Sequence, residues 1–138
     1  MIAWNYQGAG NEMFHAYAYE LHRRHHPNIL IIIEPRIAEA RAQGVIDMLP
    51  YSHSLCVDLA GFSCGIWLLW NEGPSFNIEI ITCSEHSIHA LVKVPSSSLS
   101  FLLTTMYVPP HFIKHKSFWD YLEQLAMTLP FVDPPRRF

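Results

Sequence analysis

Asn28-Ile29-Leu30-Ile31-Ile32-Ile33-Glu34 is the stretch whose reading decides the fold. Pro27 precedes it and Pro35 follows it, so it reads as a short strand bounded at both ends. Successive side chains of a strand point to opposite faces. Five consecutive aliphatic residues therefore leave no polar face, and both faces of this strand need a dry cover. The run is far shorter than the ~20 apolar residues that cross a bilayer as a helix.

Toward the N-terminus, Met1–Gln7 reads as a strand and Gly8-Ala9-Gly10 as a turn. A helix is expected from Asn11 to His26. Asn11 is its N-cap, and Phe14, Tyr17, Ala18 and Leu21 recur on one face. In the other direction a second helix is expected over Ile37–Leu49, stopped by Pro50. The chain then changes character. Tyr51–Asp58, Gly65–Asn71, Phe76–Thr82, Ser87–Val94 and Leu99–Val108 are rich in β-formers. Gly61, Glu72-Gly73-Pro74 and Pro95-Ser96-Ser97-Ser98 break them, which is the pattern of an antiparallel meander. Pro109-Pro110 closes it. A third helix spans Ser117–Met127, with Phe118, Tyr121, Leu122 and Leu125 on one face.

The order β-α-β-α, then strands, then a helix predicts an α/β (α+β) fold, with one mixed sheet and helices on one face. Residues 1–130 form one domain unit and 131–138, with two prolines, an irregular tail. The second face of Ile29–Ile33 has no evident cover in this arrangement. Self-association through a bare sheet face is the expectation that follows.

The 138 residues carry a formal charge of −3, with 50% hydrophobic and 15% charged residues. That composition forms a core and excludes a disordered chain. It also lacks the basic surplus of a dedicated nucleic-acid binder. Cys56, Cys64 and Cys83 are odd in number and form no CxxC pair. Buried free thiols and a reducing compartment are expected. The N-terminal MIAWNYQGAG has no basic stretch followed by a long apolar run, so no secretory signal is read there. The expectation is an intracellular protein, cytoplasmic or nuclear, with no membrane partner.

Three polar residues sit at C-terminal strand ends, where α/β folds tend to hold ligands: Asn5, Glu34 and Tyr107. An amide and a carboxylate supply oxygen donors of the kind Mg²⁺ takes, and a tyrosine hydroxyl can hold a phosphate oxygen. On the residues alone the plainer readings stay open. Asn5 reads equally as a turn residue, Glu34 as a solvated strand end and Tyr107 as a core aromatic.

Other signals carry less. Gly8-Ala9-Gly10 precedes a helix, but Met13 stands where a dinucleotide fingerprint needs its third glycine. His22, Arg23, Arg24, His25 and His26 crowd the end of the first helix, where cations suit the helix dipole; a DNA-backbone contact is the secondary reading. His22 and His26 lie one turn apart without an HExxH pattern. His86 and His89, three apart in a strand, should face opposite ways. Ser63, His53 and Asp58 have no GxSxG elbow. Trp67 and Trp70 are assigned to the core.

Four segments in order resemble one family. WNYQGAGN (4–11) resembles the opening WNxRGxGN of plant LINE-type retrotransposon endonucleases, members of the endonuclease/exonuclease/phosphatase (DNase I-like) family. HHPNILIIIEPR (25–36) resembles their metal-binding Glu segment, and DLAGFSCGIWLLWNEG (58–73) their GxSGGlaLLW hairpin. TTMYVPP (104–110) with SFWDYLEQL (117–125) resembles their gvYgpP…FWxeL segment.

The resemblance implies a four-layer α/β sandwich and Mg²⁺-dependent phosphodiester hydrolysis on DNA. Carried over, Glu34 is the main metal ligand, Asn5 belongs to the metal and phosphate network, and Tyr107 contacts the scissile phosphate. There are departures. Gln7 stands for a common Arg, Pro35 for Thr or Ser, and Cys64 interrupts a Gly-Gly pair. The largest is an absence. Asp133 lacks the Gly before it and the Asn after it that a Gly-Asp-x-Asn strand needs, and no later Asp-His pair follows. The expectation is the N-terminal half of such a domain, truncated, with Mg²⁺ weakly bound or absent and activity lost. The alternatives are a noncatalytic binding module, or a phosphodiesterase completed by a partner chain.

Overall fold

The computed structural model describes residues 1–6, 9, 12–37, 39–59, 63–74, 76–84, 87–107 and 115–128. The side chains of residues 34, 36, 39, 58, 59, 63, 64 and 128 lie outside that description, as does the expected tail 131–138. The elements run β1 (Ile2–Asn5), α1 (Glu12–His25), β2 (Ile29–Ile37), α2 (Glu39–Asp47), β3 (His53–Leu59) and β4 (Ser63–Trp70). They continue as β5 (Asn77–Cys83), β6 (Ser87–Val94), a 3-10 turn (Pro95–Ser97), β7 (Leu99–Met106) and α3 (Lys116–Thr128).

The α/β class holds, but the strands divide between two sheets. The first has the order β1-β2-β4-β3, with β1 parallel to β2 and the other pairs antiparallel. The second is the antiparallel meander β5-β6-β7. The expectation of one mixed sheet with helices on one face thus describes β1 to β4. Beyond the break at Glu72-Gly73-Pro74, the chain leaves that sheet and lays a second one over it.

The side chains of β2 explain why. Leu30 and Ile32 point into a core with Phe14 and Ala18 of α1, Ala42 and Ile46 of α2, and Trp67 and Leu69 of β4. Ile29 and Ile31 point the opposite way. They pack with Ile66 and Leu68 of β4, Ile78 of β5, Ile88, Ala90 and Val92 of β6, and Leu103 of β7. The sheet face expected to lie bare is therefore covered: Ile31 is 3% exposed. Self-association through that face loses its motive, because the second sheet supplies the dry surface. The layers are α1 and α2, the first sheet, the second sheet, then α3.

Local departures have local causes. β2 does not end at Pro35 but continues to Ile37 through a register shift between Ile33 and Ile37. A bulge is where a strand tolerates proline, which has no N–H for the ladder. The Pro35 carbonyl instead accepts the Ala9 N–H at 2.6 Å. Tyr17, placed on the buried face of α1 by spacing, is 50% exposed, while Phe14 and Ala18 are buried. The helix ends with His26 at φ 43°, a left-handed cap followed by Pro27. The cysteine expectation is corrected at two positions: Cys56 is disulfide-bonded, and Cys83 is a free exposed thiol at the end of edge strand β5. Trp67 and Trp70 do belong to the core, at 0% and 6% exposure. No helix among the described residues is long and apolar enough to cross a membrane.

Leu68 is fully buried between the sheets. Leu68→Ala should lower unfolding free energy by about 2–5 kcal/mol, the lost transfer energy plus a cavity. Urea denaturation checks this. A loss under ~1 kcal/mol would mean that the inter-sheet core is not closed in solution.

Candidate functional site

The two ends of the sandwich differ. At one end the beginnings of β1 and β2 (Met1, Asn28, Ile29) meet Phe76, Val92, Val94 and Phe101 around a cavity of about 340 Å³. Its lining side chains are mostly apolar. β1 and β2 run in parallel away from that end, as does β7 from Phe101. At ~3.3 Å per residue, Asn5, the Ile33–Glu34 peptide and Tyr107 all arrive at the opposite end. Of the three positions singled out in the sequence, Asn5 and Glu34 are neighbours through the pairing of β1 with β2.

Asn5 and Glu34 are brought together by backbone pairing. Asn5 is level with Ile33 across the parallel pair, and the Tyr6 N–H donates to the Ile33 carbonyl at 3.2 Å. Glu34 is the next residue along β2, at the point where the regular register stops. Its side chain lies outside the described residues. Asn5 is exposed, whereas Ile2 and Trp4 before it are partly covered. Tyr107 leaves β7 and packs, half-buried, against the inter-sheet core. It is anchored there as an aromatic, whatever its hydroxyl does.

Around Asn5 the support is aromatic. The rings of Trp4 and Tyr6 lie 4.7 Å apart, and Phe14 of α1 stacks on Trp4 at 5.7 Å. Packing of that kind holds the end of a four-residue strand against α1.

The basic cluster of α1 lies elsewhere. α1 runs back from the Asn5 end, and its 14 residues span roughly 21 Å at 1.5 Å per residue. His22 to His26 therefore sit near the cavity end. Arg23 and Arg24 both pair with Glu20, at 2.7 Å each, and the two guanidiniums hold that carboxyl down at about 2. The last-turn position of the basic residues suits the helix dipole. The cluster does not reach the end where Asn5 lies. His22 does not gather a metal set either; its ring faces His26 and Tyr51, and burial pushes the Tyr51 phenol up to about 12.

Among the described residues the Asn5 end offers the exposed Asn5 amide. No group of three or more His, Cys, Asp or Glu able to hold a metal ion occurs among the described residues. Mg²⁺ prefers near-octahedral oxygen ligation, and the described residues do not assemble it.

Spacing missed one buried polar group. His89 is 1% exposed on the outer face of β6, against Thr104 and Tyr121. A histidine flanked by Ile88 and Ala90 in Ser87–Val94, with a tyrosine on the apolar face of the following helix, was the available signal. His86, its expected counterpart on the other face, lies outside the described residues.

The four layers and the strand order define a partial DNase I-like α/β sandwich. Among solved structures, the chain is similar to AP endonuclease LMAP from Leishmania major, with a TM-score of 0.64 and 16% identity. The match covers 93% of this chain and 49% of that one, so the chain spans about half the length of this structural neighbour. No protein-family model matches the chain, and no curated protein does.

Asn5→Ala should leave stability within ~0.5 kcal/mol of the parent, because the side chain is exposed at a strand end. Thermal unfolding checks this. A larger loss would make Asn5 a structural turn residue and weaken its candidacy for the site.

Proposed function

We propose that the chain is the N-terminal half of a DNase I-like phosphodiesterase domain of the plant LINE-type retrotransposon endonuclease kind, with DNA as its ancestral substrate. The observation that supports this reading is the parallel pairing of β1 with β2, which sets Asn5 beside the Ile33–Glu34 backbone at one strand end. The four segments that resemble that family, in the same order, support it. So does the fold likeness to a protein described as an AP endonuclease.

In this reading Glu34 and Asn5 offer two oxygen donors to Mg²⁺, and the Tyr107 hydroxyl donates to a phosphate oxygen. Bound Mg²⁺ would supply charge stabilisation to the phosphodiester. Hydrolysis also needs a group that activates water and a group that serves the leaving oxygen. The Gly-Asp-x-Asn and Asp-His motifs that do this in the family are not among these 138 residues. The chain by itself holds substrate-side and metal-side groups without the nucleophile chemistry.

Supercoiled plasmid should remain intact when incubated with the 138-residue chain and Mg²⁺ or Mn²⁺. Nicking above background that disappears in Glu34→Ala would overturn the half-site reading. Mixing the chain with the C-terminal half of a related endonuclease should produce metal-dependent nicking that Glu34→Ala abolishes. Failure of every such pairing would count against the phosphodiesterase reading itself. In a calorimetric titration Mg²⁺ should bind weakly, because two donors leave most of its shell to water. Tight stoichiometric binding lost in Glu34→Ala would show a completed metal site.

A further inference from the structure

The outer face of the second sheet carries a polar row across its middle. Thr82 of β5, His89 of β6 and Thr104 of β7 are level with one another in the ladder. Thr82 is exposed, whereas His89 lies under α3, whose Tyr121 reaches down to its ring. His89 Nδ1 lies 3.1 Å from Thr104 Oγ1, and its Nε2 lies 3.0 Å from Tyr121 Oη. The ring is 1% exposed, although Tyr121 itself is 42% exposed at the helix surface.

We propose that His89 is a pH-sensitive seat for α3: the neutral imidazole holds the helix on the sheet, and its protonation releases the helix while the first sheet and its helices stay folded.

A neutral imidazole donates through one nitrogen and accepts through the other. Two hydroxyls, each able to donate or accept, satisfy it in either tautomer. An imidazolium in the same place would be a charge taken out of water against two neutral partners. The surrounding charges do not compensate it. On α3, Lys116 pairs with Asp120 at 2.9 Å, and Glu123 lies one turn from that pair. On the sheet, Lys93 of β6 pairs with Glu79 of β5 at 3.3 Å. β7 contributes no charged side chain in Leu99–Met106 and Cys83 stands at the end of β5. Among the described residues the ring nitrogens meet hydroxyls and no carboxylate. Burial accordingly pushes the imidazole below its ordinary value.

The direction follows from linkage. The released state binds the proton at the ordinary histidine value of about 6.5, and the seated state only at lower pH. Seating is therefore at full strength above about pH 6.5 and is lost as pH falls toward the seated-state value. Between the two values the seating equilibrium weakens by up to about tenfold per pH unit, the slope of one extra proton.

Hydrogen exchange on the full chain between about pH 7.5 and about pH 5, corrected for intrinsic rates, tests this. Protection of the α3 amides should fall with pH at up to that slope, while β2 and β4 keep theirs. In His89→Gln, whose amide still offers a donor and an acceptor, α3 protection should no longer depend on pH. Should that variant not fold, NMR titration of the His89 ring in the parent chain decides. A midpoint below that of exposed histidines, shared by the Tyr121 ring signals, supports the proposal. Unchanged α3 protection in the parent, the same pH dependence in His89→Gln, or a His89 midpoint at or above 6.5 would overturn it.

Discussion

Everything in this fold depends on a strand that is apolar on both faces. Ile29 to Ile32 of β2 are all at or below 5% exposure, and the partner residues Ile66 to Leu69 of β4 are fully buried. Two adjacent strands of this kind make a slab that is hydrophobic above and below. Helices alone cover one side of it, through Phe14, Ala18, Ala42 and Ile46. The other side must find a second apolar sheet or remain wet over a large area, at roughly 25 cal/mol per Å². The four-layer arrangement answers that single requirement. The flanking strands β1 and β3 retain exposed or half-buried positions because they are the sheet edges.

The elements were legible because the chain punctuates itself. Pro27, Pro50, Glu72-Gly73-Pro74 and Pro95 fall at or beside element ends, and Ser87–Val94 is a strand with the bounds its sequence suggests. What could not be read was the partner of each strand. β-formers such as Asn77-Ile78-Glu79-Ile80 look alike whether they extend the first sheet or found a second, since register and pairing are set by residues far away in sequence. The demand for a second layer was written in Ile29–Ile33, but the segment meeting it was not identified. Pro35 shows a related limit. A proline normally ends a strand, but here it falls within a register shift and its carbonyl accepts the Ala9 N–H, so the strand goes on.

The candidate site was legible in part, for a physical reason. Asn5 and Glu34 follow apolar strand residues, so a polar group at each strand end stands out by contrast, and parallel pairing of β1 with β2 brings the two backbones together. Tyr107 stands beyond the last paired residue of β7, yet its ring is held by the inter-sheet core. The core-aromatic reading of it thus has a structural basis. The sequence places His89 on a strand face but does not reveal its burial, because burial of a histidine depends on what docks over it. No periodicity within β6 announces that Tyr121, 32 residues later, will arrive on its ring.

A chain about half as long as its structural neighbour nevertheless carries two hydrophobic clusters of its own. That separates two questions usually answered together. Closure of a core needs apolar faces that match, and β2, β4 and the meander provide them within these residues. Assembly of a hydrolytic centre needs several polar groups converging from different strand ends. A closed core does not by itself supply that convergence, so packing and chemistry are separate demands on the same strands. Asn5 is exposed one residue beyond Trp4, whose ladder partner Ile32 is fully buried, so the two demands diverge within a single step of the strand.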